Sequence, residues 1–313
     1  MCTVEFKHTP VLLKEAVAGL EIKKNGIYVD ATVGAGGHSA AILDKLSFPG
    51  HLYCFDCDIE AIMSAENKLS QVSNNFTLIR ANFLQMSEEL ASRGISGVDG
   101  ILYDLGVSSY QLVDSDRGFS YRKDNQLDMR MDQRQILTAK TVVNTYSEDK
   151  LAELIYTNSN ERYARKIAAA IVRARFRKEI SSTLELADII SAAVPGKAKR
   201  DGHPAKRTFQ AIRIEVNGEL TILRQSLTKA LKLLNSGGRL CVITFHSIED
   251  RIVKQLFKER VIGSSWRRGM PVTLDEPKPK FRLITNKPIL PSDDEILINH
   301  RSHSAKLRII ERV

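Results

Sequence analysis

Ile27-Tyr28-Val29-Asp30-Ala31-Thr32-Val33-Gly34-Ala35-Gly36-Gly37-His38 is the stretch from which the fold is read. Ile27 to Ala31 is a short, largely apolar run of the kind that becomes a buried strand. Glycines at 34, 36 and 37 end it in a tight turn, and a helical pattern follows from His38 to Leu46. The same alternation continues downstream. His51 to Phe55 is a second strand and Ile59 to Leu69 a second helix, while Phe76 to Ile79 and Val98 to Tyr103 are a third and a fourth strand. Strands alternating with helices predict an α/β fold, a parallel sheet with helices on both faces.

Beyond residue 111 the alternation stops. Helical stretches run through Asp149–Thr157, Glu161–Phe176 and Thr183–Val194, and Ser182 or Thr183 can cap the last of them. The predicted organisation is therefore a sheet domain in two segments, 1–111 and 207–313, interrupted by a helical substrate-binding domain at 112–206. In the later segment a single long helix is predicted from Phe209 to Leu234, stopped by Ser236-Gly237-Gly238. Arg239 to Phe245 is a fifth strand, and Ser247-Ile248-Glu249-Asp250 has the spacing of a capping box before another helix. Phe281–Ile284 and Ala305–Ile310 can supply two last strands. The stretch from Gly263 to Lys280, rich in Gly, Pro, Arg and Lys, reads as a loop.

Composition narrows the class. In 313 residues, 43% are hydrophobic and 27% charged, which excludes a disordered chain or a fibre. No run approaches the roughly 18 apolar residues of a membrane helix, and the N-terminus does not read as a secretion signal. Four cysteines do not make a disulfide framework, so a reducing cytoplasm is the expected location. The net charge is +9, and its distribution says more than its sum. Between Arg162 and Arg213 stand 13 Lys/Arg against four acids. Such a cluster is either a solvated helix surface or a face that grips phosphates.

The glycine turn also speaks to a ligand. Asp56, twenty residues after Gly36, ends the second strand where a carboxylate can hold ribose hydroxyls. A G-x-G-x-x-G fingerprint starting at Gly34 would need glycine at 39, where Ser39 stands, so a pyrophosphate cofactor is disfavoured. The loop D-x-T-x-G-x-G-G, with Asp30 at the strand end, instead suits S-adenosylmethionine, which has an amino-acid tail and no phosphate. Asp104 ends the fourth strand and His246 follows the fifth, both at the carboxyl edge where open parallel sheets bind ligands. Cys54-x-x-Cys57 lacks two further ligands for zinc, and no metal is expected. Cys241 lies too early in its strand to be the nucleophile that methylation at cytosine C5 would need.

At the level of motifs the chain resembles the RsmH/MraW family of 16S rRNA (cytosine-N4)-methyltransferases over essentially its whole length. The matching pieces are His8-Thr9-Pro10-Val11-Leu12-Leu13-Lys14-Glu15, the glycine loop, Asp104-Leu105-Gly106-Val107-Ser108-Ser109 and Asp116-Arg117-Gly118-Phe119-Ser120. They continue in Leu127-Asp128-Met129-Arg130-Met131-Asp132, Arg207-Thr208-Phe209-Gln210-Ala211 and Phe245-His246-Ser247-Ile248-Glu249-Asp250-Arg251. Tyr110 departs from the pattern, since proline is common there. The resemblance implies a Rossmann-like class I methyltransferase sheet with an inserted helical domain. It also implies N4-methylation of a cytidine in the decoding region of 16S rRNA, with S-adenosylmethionine as cofactor and the small ribosomal subunit as partner.

The family match assigns Gly36, Gly37, His38, Asp56, Phe83, Asp104 and Gln111 to the cofactor. An exocyclic amine needs hydrogen-bond acceptors to aim its lone pair; Asp104 and the backbone carbonyls of the Leu105–Ser108 turn are the candidates, and Asp104 is the catalytic side chain among them. Ser108 and His246 are substrate candidates beside it, and Arg173 and Arg177 are candidates on the basic helical stretch. No membrane partner is expected, and a homodimer stays open. Two rival readings remain: an amino-methyltransferase acting on another nucleic acid, and a cofactor-binding assembly factor without turnover.

Overall fold

The computed structural model describes residues 10–107, 111, 116–196, 202–261 and 279–313. The expected 263–280 loop therefore lies outside the described residues, apart from its last two positions. The chain divides into two compact units, the described residues of Met1–Gly106 with Thr221–Val313, and those of Val107–Leu220.

The first unit is built on strands β1 (Ile27–Asp30), β2 (His51–Asp56), β3 (Phe76–Arg80), β4 (Val98–Asp104), β5 (Leu234–Thr244), β6 (Phe281–Leu283) and β7 (Lys306–Arg312). They form one sheet in the order β3-β2-β1-β4-β5-β7-β6. Every pairing from β3 to β5 is parallel. The all-parallel expectation fails at the edge, because β7 runs antiparallel to both β5 and β6. Sequence periodicity does not encode strand direction, so this reversal carries no local signal.

Helices cover both faces, and the strands show it by alternation. Val29, Phe55, Ile101 and Tyr103 pack on one face with Leu227 and Phe257. Tyr28, Cys54 and Leu102 pack on the other with Leu12, Ile42 and Ile309. The covering helices are α1 (Leu13–Gly19), α2 (Gly37–Leu43), α3 (Ile59–Leu69) and α4 (Met86–Ala91). Further along the chain come α5 (Ala139–Thr145), α6 (Glu148–Ser159), α7 (Ala164–Arg177), α8 (Thr183–Ala193) and α9 (Ala205–Asn217), all in the second unit. The last three are α10 (Glu219–Leu233), α11 (Ser247–Val261) and α12 (Asp293–Ile298). Among the described residues, no helix is long and apolar enough to cross a membrane.

One expected helix proves to be two. The apolar period runs unbroken from Phe209 to Leu234, but Gly218 sits at φ 61° and ends α9 before α10 begins. A glycine inside a helical pattern reads as a tolerated residue unless the backbone turns left-handed there. Arg213 and Glu219 close the break with two hydrogen bonds of 2.8 Å.

In the second unit, α7 buries Ala164, Ile167, Ala168 and Ile171, the i, i+3, i+4, i+7 positions of an inward stripe. The opposite face leaves Arg165, Lys166, Arg173 and Arg177 exposed. Ser182 caps α8 by accepting from the Glu185 N–H. The core continues through Leu151, Ile155, Phe209 and Ile212.

Candidate functional site

The strand order reverses between β1 and β4, and open sheets bind ligands at the carboxyl ends beside such a switch point. Asp30 and Asp104 stand at those two ends, and Asp56 at the end of β2. The glycine turn leads from β1 into α2. Gly36 holds φ 75° as the residue before the helix, and a Cβ at Gly37 would overlap the Pro10 ring. Pro10 thus abuts the turn, and glycine at 37 is what lets the two touch.

Each carboxylate has a defined backbone duty. Asp56 accepts from Gly34 N–H through Oδ2 and from Asp58 N–H through Oδ1, both at 3.0 Å. Asp30 accepts from Ser39 Oγ at 2.6 Å and from Thr32 N–H at 3.1 Å. Thr32 in turn accepts from the Asp104 N–H through Oγ1 at 2.7 Å, tying the end of β4 to the turn after β1. Asp104 itself is different: its Oδ1 is sealed from solvent and, among the described residues, has no hydrogen-bond partner. Its Oδ2 lies 3.4 Å from His38 Nδ1, while His38 Nε2 is 3.0 Å from the Val11 carbonyl.

The electrostatics follow from burial. Asp30 is pushed up to about 6 by burial, against the pull of its Ser39 and Thr32 bonds. Asp56 is also pushed up to about 6, again mainly by burial and in spite of the Asp58 and Gly34 N–H groups. Burial raises Asp104 well above the usual carboxylate range, with the charges of Asp30 and Glu249 adding to the rise. Among the described residues, none of these three acids has a lysine or arginine partner. A pocket edge of this kind repels phosphate and favours a cation or hydroxyl donors. The donor set therefore fits an aminoacyl sulfonium nucleoside, with its ammonium, sulfonium and ribose hydroxyls, and does not fit a dinucleotide pyrophosphate.

His246 follows β5 and is held by Glu249, a buried residue at the start of α11. Glu249 Oε2 accepts from the Phe245 and His246 N–H groups at 2.9 and 3.2 Å. Its own N–H points to His246 Nδ1 at 3.4 Å, and its Oε1 lies 3.0 Å from His246 Nε2. The spacing read as a helix cap is Ser247–Asp250; in the structure it is Glu249 that takes the Phe245 and His246 N–H groups, and its approach to His246 Nε2 does not reach hydrogen-bond geometry. Thr32 and Glu249 are not among the expected site residues, and the long-range Thr32–Asp104 bond has no sequence signal.

The remaining candidates separate. Phe83 sits just after β3 with its ring edge-on to Tyr103, centroids 5.4 Å apart. Ser226 gives its one hydroxyl hydrogen to the Phe83 carbonyl, so the Tyr103 hydroxyl donates to Ser226 at 2.5 Å. Gln111 is buried and belongs to the second unit, and Ser108 lies outside the described residues. In the second unit, Arg165, Lys166 and Arg173 line an open depression of about 420 Å³ with Ala169, Ala192 and Ala193. Arg177 is exposed but is not in that lining. Three other members of the basic stretch are already engaged: Arg213 by Glu219, Arg207 by Glu161 at 4.0 Å, and Arg175 by the Val143 carbonyl at 2.8 Å.

The family model described as the MraW methylase family matches residues 5–313. The chain is 51% identical over 312 residues to a protein of Limosilactobacillus fermentum named ribosomal RNA small subunit methyltransferase H, covering 99% of each. Among solved structures, an rRNA methylase from Streptococcus thermophilus aligns at 12% identity and a TM-score of 0.43, over 96% of this chain and 93% of that one. An S-adenosylmethionine-dependent O-methyltransferase from Thermotoga maritima aligns at 9% identity and a TM-score of 0.43, over 98% and 68%. The fold rests on the strand order itself.

Proposed function

This chain belongs to the MraW methylase family, and from that premise we propose that it methylates the N4 amine of a cytidine in the decoding region of 16S rRNA. The observation that carries this reading is the sealed, unpartnered Oδ1 of Asp104 at the β4 carboxyl end, beside the glycine turn. A buried acceptor without a donor is costly, and the amine of a target base supplies the missing N–H.

S-adenosylmethionine, when bound, supplies an electrophilic methyl group on a sulfonium. Gly36, Gly37 and His38 would let the turn approach it, and Asp56 and Phe83 would hold it from the sheet unit; Gln111 is a cofactor residue by resemblance alone. Asp104 accepts from the amine and aims its lone pair, with His246 on the substrate side; Ser108 is a substrate residue by resemblance alone. In-line approach and exclusion of water matter more in such a transfer than strong acid–base help. The helical segment carries the RNA, with Arg173 and Arg177 on phosphates. The cytoplasm is the location this activity implies.

The test is transfer of labelled methyl from S-adenosylmethionine to small-subunit rRNA, followed by nucleoside analysis. N4-methylcytidine is the expected product. A different methylated nucleoside, or label only in another nucleic acid, would replace this reading with the rival amino-methyltransferase. Tight cofactor and RNA binding without label transfer would leave an assembly factor.

The helical segment yields a separate expectation. Affinity carried by phosphate pairing falls with salt, and removing one paired phosphate on a single strand lowers the log–log slope by about 0.7. Replacing Arg173 and Arg177 by Gln is expected to weaken RNA binding and flatten that slope while cofactor affinity holds. Parental RNA affinity and slope in the double variant would move the RNA to another face.

A further inference from the structure

His38 is assigned by resemblance to the cofactor, but its ring has a second role that the geometry defines. Carbonyl oxygens only accept, so the 3.0 Å contact with Val11 O requires the proton on Nε2. A neutral His38 then presents its Nδ1 lone pair to Asp104 Oδ2, 3.4 Å away. Two lone pairs facing each other repel, and one proton between them removes the conflict. The surroundings work in the same direction. Asp30 on β1 and Glu249 on α11 both place negative charge toward Asp104. His246 on the α11 side is directed at Glu249. No described lysine or arginine pairs with Asp104.

We propose that His38 and Asp104 act as a dyad that holds one proton in the empty site and releases it when the cationic methyl donor binds. His38 is a positioning residue in this scheme: it keeps Asp104 in place and neutral until the site fills. The donor's ammonium and sulfonium then stabilise the carboxylate, the O–H bond breaks, and its proton passes to the buffer. Asp104 is left as the acceptor that the target amine needs, and it becomes so only after the donor is in place. The proposal rests on the cofactor site assigned above.

Binding that expels a proton is favoured at higher pH, by up to about tenfold in affinity per pH unit below the titration midpoint of the empty dyad. Asp30 and Asp56, both pushed up to about 6, also respond to pH. The dyad's share is therefore the fraction that Asp104→Asn removes. Calorimetry of S-adenosylmethionine and S-adenosylhomocysteine binding, in buffers of different ionisation enthalpy from pH 5.5 to 8.5, counts the protons directly.

The parent is expected to release close to one proton more than Asp104→Asn. His38→Gln keeps an N–H for Val11 but loses the Nδ1 acceptor, and is expected to shift the midpoint downward. Donor binding with equal proton release in parent and Asp104→Asn, or an unmoved midpoint in His38→Gln, would overturn the dyad and leave the cofactor site standing. No binding of either ligand by the parent would overturn the site itself, and the dyad with it.

Discussion

Asp104→Asn is expected to slow single-turnover methyl transfer by about a hundredfold or more, the scale on which a preorganised polar contact to a reacting group acts. Asparagine keeps the shape of the side chain and removes its charge. The fold has no reason to suffer: the Asp104 N–H still reaches Thr32, and β4 keeps its ladder to β1 and β5. Burial already raises the Asp104 carboxyl and favours its neutral form, so a neutral amide adds no buried charge. Thermal stability is expected to hold or rise. The measurement is the rate at saturating cofactor and RNA, with the melting temperature as a control. A rate within about threefold of the parent would make Asp104 a structural residue, since transition-state contacts show in that rate.

Asp56→Ala is expected to weaken S-adenosylmethionine binding by about 1.5–3 kcal/mol, the scale of a lost charged hydrogen bond. The structure adds a second reason for the loss. Both Asp56 oxygens already hold backbone N–H groups, of Gly34 and Asp58, so the alanine also unties the glycine turn. Asp56→Asn retains one acceptor oxygen and is expected to lose less. Because burial raises Asp56 to about 6, its charged form is depleted as pH falls through that value. Parental cofactor affinity should therefore decline on the acid side, and the decline should be smaller in Asp56→Asn. Calorimetry on the folded variants reads both effects. Unchanged affinity in Asp56→Ala would remove Asp56 from the ribose.

The main architecture is legible from local pattern. The run at 27–31, the glycine turn and the carboxylates at the ends of β1, β2 and β4 are all short-range features. A strand needs only a few apolar residues in sequence, and a turn needs glycine where the backbone goes left-handed. The same holds for the exposed arginines of α7, which follow from helical spacing around Ile167 and Ile171. The charge count at 162–213 is right as a count but too coarse as a surface. It includes Arg213 and Arg175, whose partners Glu219 and the Val143 carbonyl already occupy them.

The sequence by itself therefore determined an α/β sheet with a glycine turn at its ligand-binding edge, the positions of Asp56 and Asp104 at strand ends, and a helical segment with a basic face. Only the tertiary structure decided that β7 runs antiparallel, that Gly218 splits one apolar period into two helices, and that Thr32 ties β4 to the β1 turn. It also decided that His38 faces Asp104, far from it in sequence, and that Asp104 Oδ1 is left without a partner. The reason is range. Periodicity, caps and turns are set by neighbours within a few residues. A contact between strand ends depends on which strands lie side by side, and no pattern in a single sequence records that order.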